Sequence, residues 1–119
     1  MRFACLVYVD PTTAFDGSPD NIALLEAAEA QRQQLLGSGV AAEALGLPSE
    51  AVTIRIRKKR MSRTDGPFME TKEVLAGFVL IDAENLEAAV EMAATNPMAQ
   101  LGAVEVRPLV DFSQPRPVL

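Results

Sequence analysis

Apolar residues along the chain follow patterns that predict a mixed α and β domain. Residues 3–9 and 75–81 are continuous apolar runs of strand length, which predicts central strands covered on both faces. Residues 52–57 and 104–107 alternate between apolar and polar, as a strand with one wet face does. Residues 40–45 form a weaker candidate strand, because they are rich in alanine.

Two helices are predicted between these strands. Ser18-Pro19 begins the first, since serine caps a helix and proline suits its first turn, and Gly37-Ser38-Gly39 ends it. Asn85 begins the second, and Asn96-Pro97 ends it. The apolar stripes are Ile22, Leu25, Ala28, Leu35 and Leu36 in the first helix and Leu86, Ala89, Val90 and Ala93 in the second.

The order of elements is β-α-β, a hairpin with its tip at Lys58-Lys59, and β-α-β again. Two such units with right-handed crossovers predict a ferredoxin-like α+β sandwich, in which the first and third main strands are central. Two helices cover only one face of that sheet. A second copy of the same sheet is an economical cover for the other face, so we expect a homodimer.

Length and charge narrow the classes of function. The 119 residues suffice for one domain, which we place at 1–109, followed by an extended, proline-rich tail at 110–119. A net charge of −5 works against binding to nucleic acid or anionic membranes. The single cysteine, Cys5, cannot form an internal disulfide, and no apolar run reaches the length of a membrane span. We therefore expect a cytoplasmic protein.

Residues 64–73, with the sequence TDGPFMETKE, resemble the signature of the DGPF, or YCII-related, family. Segments 43–45, 53–57 and 102–108 are similar to other parts of that family, and the likeness spans residues 1 to about 109. The resemblance implies a dimeric α+β barrel of two ferredoxin-like sheets packed face to face. The wider superfamily includes cofactor-free monooxygenases, lactone isomerases, haem enzymes and proteins without known activity. Members of the DGPF branch often lie beside sigma-factor genes, which suggests a regulatory association.

Related proteins carry a histidine–aspartate dyad that this chain lacks. Its positions fall on Ala28 and Asn96, and the chain contains no histidine. The dyad mechanism and a haem held by imidazole are therefore both excluded. There is also no Cys/His cluster with zinc spacing and no glycine-rich phosphate loop, so we expect neither cofactor nor metal.

Two carboxylates and a tyrosine are the candidate catalytic groups. Asp65 stands in the Asp-Gly-Pro turn, where it either caps the turn or lines a pocket. Glu43 is either a polar strand end or a group facing the barrel. Tyr8 either packs in the core or offers its hydroxyl to a ligand. Cys5, on the opposite face of the same strand, is predicted to be buried and unreactive.

The family resemblance adds candidate ligand-binding residues. Phe68, Glu70 and Lys72 belong to the DGPF stretch, and Arg107 belongs to the last strand. Glu70 and Glu73 are three residues apart and share a face if this segment is helical, although a solvated turn is the preferred interpretation.

Six of the eleven basic residues lie between Arg55 and Arg63. The run has no aromatic residue and belongs to an acidic chain, so a solvated hairpin is preferred to a nucleic-acid site. Three functions remain, in descending order. The first is a small-ligand-binding or accessory, regulatory homodimer. The second is a cofactor-free lyase, isomerase or monooxygenase that uses Asp65 or Glu43 with Tyr8, and the third is a weak nucleic-acid contact through residues 55–63.

Overall fold

The computed structural model describes residues 1–116 and 118–119. Its strands are β1 (Arg2–Val9), β2 (Ala42–Ala44), β3 (Val52–Arg57), β4 (Arg60–Asp65), β5 (Val74–Asp82) and β6 (Ala103–Pro108). Its α-helices are α1 (Pro11–Ala14), α2 (Pro19–Gly37), α3 (Leu86–Ala93) and α4 (Met98–Leu101), with a short 3₁₀ helix at Pro48–Glu50.

Four strands form an antiparallel sheet in the order β2-β5-β1-β6. The two strands that are apolar on both faces, β1 and β5, are therefore central, as predicted. Cys5 pairs with Val79 on one side and with Val106 on the other, which fixes the register of three strands. The predicted ferredoxin-like α+β fold is confirmed.

Both long helices begin at their predicted caps. The Ser18 hydroxyl accepts from the Asn21 N–H at 3.4 Å, and the Asn85 side-chain oxygen accepts from the Ala88 N–H at 2.9 Å. Each cap satisfies an amide that the first helical turn leaves without a partner. The sequence therefore fixes where these helices start.

Two short helices were not predicted from the sequence. In α1, the Asp10 carboxylate accepts from the Thr12 N–H at 3.1 Å and from the Thr12 hydroxyl at 2.8 Å. In α4, the Asn96 side-chain oxygen accepts from the Met98 N–H at 3.0 Å. Each helix has only four residues, which is too short to show helical periodicity. The Asp-Pro and Asn-Pro pairs that indicate turns are here the starts of helical turns.

One face of the sheet carries the core in two clusters. The first lies beneath α3 and comprises Phe3, Cys5, Ile81, Ala89 and Ala93. The second joins Val7, Val9 and Ala14 to Met98 and Leu101 of α4. Cys5 is buried, as predicted, and burial raises the pKa of its thiol. That the thiol is unreactive stays a prediction.

The longest helix, α2, packs less closely than its predicted stripe implies. It has no fully buried side chain, and Ile22 and Leu36 are exposed at its two ends. Gln31 and Arg32 stand three and four residues after Ala28, where a continuous stripe would have apolar side chains. This interruption leaves a cavity between α2 and the sheet.

The opposite face of the four-stranded sheet lies away from the core clusters and is apolar at its centre, with Glu105 and Arg107 of β6 along one edge and Glu43 of β2 at the other. Register places Leu6 beside Phe78, and Leu80 beside Ala4, on this face. Leu6, Phe78 and Leu80 are half-buried there. We call this surface the open sheet face.

Strands β3 and β4 form a separate two-stranded sheet, which we call the hairpin arm (residues 52–65). Its tip residues Lys58 and Lys59 have φ of 50° and 64°, as a tight two-residue hairpin turn requires. The radius of gyration is 16.5 Å, against about 13.5 Å for a compact domain of this length. The arm thus extends from the body, by which we mean the rest of the chain.

After β6 the chain stays beside the sheet for one more residue, since the Leu109 N–H donates to the Arg2 carbonyl oxygen at 2.9 Å. A turn follows, in which the Gln114 N–H donates to the Asp111 carbonyl oxygen at 3.1 Å. The predicted tail, 110–119, includes Pro117, which lies outside the described residues; the domain boundary stays a prediction. Within the described part of the chain, no helix is long and apolar enough to cross a membrane.

Candidate functional site

A cavity of about 240 Å³ lies between α2 and the sheet. The α2 side chains that face the sheet are at most half-buried, so they do not fill the space between the helix and the sheet. Apolar groups dominate its wall, including Val9, Leu25, Ala28, Leu35 and Val79. A concave apolar site with few polar groups is the usual form of a small-molecule site, and we call it the α2 cavity.

Three charged side chains line the α2 cavity. The Arg32 guanidinium binds the Glu29 carboxylate with two hydrogen bonds of 2.8 Å, and its third nitrogen, Nη1, lies 3.5 Å from the Glu43 carboxylate. The hydrogen bonds from Arg32, and a further one from Gln33, lower the pKa of Glu29 to about 2. The cavity therefore carries two carboxylates against one cation.

Gly77 allows the edge strand that carries Glu43 to approach β5. A β-carbon at this position would lie 2.6 Å from the Glu43 carbonyl oxygen, which is closer than real contacts allow. Register places Glu43 beside Phe78 of β5. Gly77 thus allows β2 to lie against β5. The Glu43 side chain starts on the same face as Phe78, at the edge of the sheet, and its carboxylate lies 3.5 Å from Arg32 Nη1 of α2.

Both positions of the missing dyad line the α2 cavity. Ala28 contributes from α2 and Asn96 from the segment before α4. The Asn96 side-chain oxygen is engaged with the Met98 N–H, while no hydrogen bond among the described residues uses its Nδ2. Gln31 also lines the cavity, and its Nε2 donates to the carbonyl and hydroxyl oxygens of Thr95, at 3.1 Å each. An alanine and an amide thus occupy the two positions to which the family resemblance assigns an ionisable pair.

The DGPF stretch forms a second site at the base of the hairpin arm. A depression of about 560 Å³, the motif depression, is lined by Pro48, Asp65, Glu70 and Val74 among others. Gly66 has φ of +107°, a conformation that favours glycine, and its N–H donates to the Ala51 carbonyl oxygen at 2.7 Å. The motif backbone therefore closes the base of the arm.

Asp65 is the most exposed of the candidate carboxylates. Its side chain is 89% exposed, and its nearest charged partner is the Arg63 Nε at 3.8 Å. None of the hydrogen bonds between described residues joins the Asp65 carboxylate to its own turn; Thr53 instead donates its hydroxyl to the Gly66 carbonyl oxygen at 2.9 Å. The turn is held by backbone groups and a threonine.

The candidate ligand-binding residues of the motif point to different places. The Arg55 guanidinium stacks over the exposed Phe68 ring, 4.8 Å from its centroid. Glu70 lines the motif depression in irregular chain, so the helical pairing of Glu70 with Glu73 does not form. Hydrogen bonds from Thr12 lower the pKa of Asp10, and the Lys72 charge adds to this shift.

Tyr8 and Arg107 lie on the open sheet face rather than at either concave site. Tyr8 is half-buried between Leu75 and Ala103 on the neighbouring strands. The Arg107 Nε lies 3.4 Å from the Glu105 carboxylate of the same strand. The neighbours of Tyr8 on both adjacent strands are therefore apolar. The charged partner of Arg107 is Glu105, two residues earlier in the same strand.

The candidate residues thus fall into three groups: Glu43 at the α2 cavity, Asp65 and Glu70 at the motif depression, and Tyr8 and Arg107 on the open sheet face. Their roles stay predictions. Arg32 and its partner Glu29 were not predicted from the sequence. The signal that marks them is the interrupted apolar stripe of α2, where Arg32 occupies a sheet-facing position.

The fold and the α2 cavity define a ferredoxin-like α+β protein with a ligand-sized space beneath its first long helix. The family model described as YCII-related domain matches residues 1–113. The chain is also 34% identical over 114 residues to an uncharacterized protein of Rhizobium meliloti (strain 1021), covering 92% of each chain. The chain belongs to the YCII-related family.

Proposed function

We propose that the protein is a homodimer that binds a small molecule in the α2 cavity. The ligand has an apolar body and an end that donates hydrogen bonds or carries a positive charge. The observation that supports this proposal is the α2 cavity itself, whose apolar wall is interrupted by two carboxylates and one guanidinium.

The volume of the cavity sets the size of the ligand. A dry apolar cavity of roughly 150 Å³ suffices to bind benzene in an engineered protein. The α2 cavity, at about 240 Å³, accommodates an aromatic ring or a branched aliphatic chain together with a short polar group.

Charge at the cavity sets the polarity of the ligand's end. The Glu29 carboxylate accepts two hydrogen bonds from Arg32 and one from Gln33, whereas among the described residues Glu43 has one hydrogen bond, from Arg32 at 3.5 Å. Glu43 therefore retains acceptor capacity for a donor on the ligand. Since carboxylates outnumber the guanidinium, a cationic or neutral donor is favoured over an anion.

Paired probes of equal size test this proposal. We expect benzylamine to shift the amide resonances of Ala28, Glu43 and Val79 in a saturable titration, and benzoate to bind at least about tenfold more weakly. Ala28→Phe fills the cavity and abolishes the benzylamine response. Ala27→Phe is the matched control, because Ala27 is exposed on the same helix and does not line the cavity. Equal, unsaturable shifts in all three proteins would contradict the proposal.

The homodimer rests on the open sheet face. Leu6, Phe78 and Leu80 form an apolar strip there, while the helices cover the opposite face. A standard stable interface buries about 800 Å² per partner, which is comparable to one face of a four-stranded sheet. A second copy supplies a surface of the same shape through a two-fold axis.

Sedimentation velocity separates this interface from general surface hydrophobicity. Phe78→Asp places an unpaired charge at the centre of the open sheet face, and we expect it to give a monomer. Leu36→Asp, at the exposed end of α2, is the control and leaves the dimer intact. A wild-type protein that sediments as a monomer at micromolar concentration contradicts the homodimer.

A further inference from the structure

The hairpin arm has one apolar and one basic face, and both are exposed. Register places Val52, Ile54, Ile56 and Met61 on one face, where their exposed fractions are 46%, 61%, 63% and 65%. The opposite face carries Thr53, Arg55, Arg57, Arg60, Ser62 and Thr64. Alternation along β3 places its apolar side chains on one face, as if that face were covered. β4 adds Met61 to this face, together with Arg63 and Asp65 near the base of the arm.

Beyond its base, the arm contacts the body through the Arg55 guanidinium over the Phe68 ring, on the face opposite the apolar one. The bonds that anchor it are those of Gly66 with Ala51 and of Thr53 with Gly66, both at the DGPF turn. An isolated two-stranded hairpin is marginally stable in water, and packing of its apolar face against another element is what stabilises it. The extended shape of the chain leaves that face without such an element among the described residues.

Charge identifies the surface that complements the arm. The arm contains six basic side chains and one carboxylate, so the body contains five basic residues and fifteen carboxylates. A strongly basic arm and a strongly acidic body attract each other between copies. Arg63 on the apolar face and Lys58 and Lys59 at the tip are the cations placed to contact carboxylates of the body, while the basic face adds attraction at longer range. The body also offers apolar groups beside its carboxylates: on α3, exposed Leu86 and Val90 stand next to Glu87 and Glu91.

The backbone of the turn at the tip of the arm is a separate indication that the arm has a partner. Lys58 and Lys59 both have positive φ, a conformation that glycine and asparagine adopt at lower cost. The turn is therefore less stable than it would be with glycine or asparagine, and it carries two cations at the point farthest from the base of the arm. An unfavourable backbone conformation of this kind indicates a use for the side chains.

We infer that the hairpin arm docks onto the acidic body of a second copy of this chain, with the apolar face of the arm against that body. This goes beyond the proposed function, because the α2 cavity and a dimer through the open sheet face are both possible with a free arm. Nucleic acid is the other partner that a basic arm suits, but phosphate contacts leave the apolar face uncovered.

Zero-length crosslinking tests the docking directly, because the chain has only three lysines, Lys58, Lys59 and Lys72. Carbodiimide couples a lysine amine to a carboxylate in contact with it. In an equimolar mixture of ¹⁴N- and ¹⁵N-labelled protein, we expect crosslinked peptides that join Lys58 or Lys59 to carboxylates outside the arm. A crosslinked pair with one ¹⁴N peptide and one ¹⁵N peptide shows that the two peptides come from different copies. Crosslinks that join only chains of one isotope, or none from the tip, overturn the inference.

A pair of variants tests the apolar face. Ile54→Ser with Ile56→Ser removes two exposed isoleucines, and we expect the dissociation constant between copies to rise at least about tenfold. Val110→Ser with Phe112→Ser is the control, since it removes two exposed apolar side chains elsewhere and leaves the constant unchanged. Equal constants in both double variants overturn the inference.

The outcomes separate this inference from the dimer of the open sheet face. If Phe78→Asp gives a monomer while the arm double variant associates like wild type, the sheet dimer stands and arm docking is rejected. If only the arm variant weakens association, arm docking stands alone. A third outcome assigns the arm to nucleic acid instead. The protein then binds a labelled 20-base-pair duplex with a submicromolar dissociation constant, and Lys58→Ala with Lys59→Ala abolishes this binding. Self-association is unchanged in the arm double variant.

Discussion

The two sheets of this protein each contain strands with apolar side chains but differ in how far those side chains are exposed. Val7 and Val9 of β1 are 5% and 0% exposed, whereas Ile54 and Ile56 of β3 are 61% and 63% exposed. Both strands are paired antiparallel along their whole length. They differ in two ways. β1 is paired on both sides, with β5 and β6, whereas β3 is paired only with β4. Helices also cover one face of β1, and no described element covers β3.

This contrast shows that stability in this chain is unevenly distributed. Burial of apolar surface is the main favourable term in folding, and here it is concentrated on one face of the four-stranded sheet. The arm has hydrogen bonds without burial, which makes it the region of lowest local stability unless a partner covers it.

The largest expected effect contrasts a core residue with an arm residue. Phe3 is 1% exposed beneath α3, so Phe3→Ala should cost about 3–5 kcal/mol in the free energy of unfolding. Ile54→Ala should cost less than about 1 kcal/mol in dilute protein, where copies are separate. Urea unfolding at low concentration measures both.

Repeating the two measurements at higher protein concentration tests whether the arm docks on a second copy. If the arm docks on a second copy, the cost of Ile54→Ala grows as the protein is concentrated, because association is linked to stability, while the cost of Phe3→Ala changes little. A loss of several kcal/mol for Ile54→Ala in the dilute protein would show that the arm packs within its own chain.

The second prediction separates backbone from charge within the DGPF motif. Gly66→Ala should destabilise the protein by about 1–2 kcal/mol, because φ of +107° strains any residue with a β-carbon although the space around it is open. Asp65→Ala and Asp65→Asn should each change stability by less than about 0.5 kcal/mol, since the carboxylate is 89% exposed. Thermal unfolding of the three variants measures the difference.

Function then tells whether the Asp65 charge matters. Because Asp65 lies at the motif depression and does not line the α2 cavity, we expect Asp65→Asn to keep the benzylamine response. Loss of that response in a folded, associated variant would show that the Asp65 charge affects binding at the cavity from the motif depression. If Asp65→Ala is as damaging to stability as Gly66→Ala, the carboxylate stabilises the turn through a bond that its exposure argues against.

Most of the fold could be predicted from the sequence because its signals are local. Apolar runs identified β1 and β5 as central, and side-chain caps at Ser18 and Asn85 marked two helix starts. The four-residue helices at Pro11–Ala14 and Met98–Leu101 were missed, since neither is long enough to show a period. Boundaries and short turns depend on tertiary contacts that no local pattern contains.

The candidate site could be predicted only in part. Glu43 was identified as a candidate, and it lies at the α2 cavity. Arg32 and Glu29 were missed, because on a helix a charged pair three residues apart is ordinary surface chemistry until the sheet-facing position of Arg32 is known. The cavity depends on how far α2 stands above the sheet, which is a property of packing between distant segments.

The third prediction uses the tip of the arm, where stability and charge oppose each other. Lys58→Asn with Lys59→Gly supplies the residues that a tight two-residue turn favours, so the hairpin should gain about 1 kcal/mol. Hydrogen exchange of the amides of β3 and β4 should slow accordingly in dilute protein. Self-association should weaken at low salt, because two cations are removed from the arm. Faster exchange in the variant would contradict the turn assignment.

The smallest effect concerns the ion pair at the α2 cavity and its dependence on pH. Arg32 holds the pKa of Glu29 at about 2 in the folded protein, below its ordinary value of 4.5. A carboxyl with a lowered folded pKa contributes stability that is present above the unfolded pKa and is lost as pH falls through the folded pKa. We therefore expect Glu29→Gln to be less stable than wild type at pH 6, with the difference shrinking between pH 4.5 and pH 2. Because the Glu29 side chain is 53% exposed, the difference is small, and Glu26→Gln on the exposed side of the same helix is the matched control. Thermal unfolding at pH 6 and pH 3 measures it, and a gap that widens toward low pH would show that the Arg32 pair does not stabilise the fold.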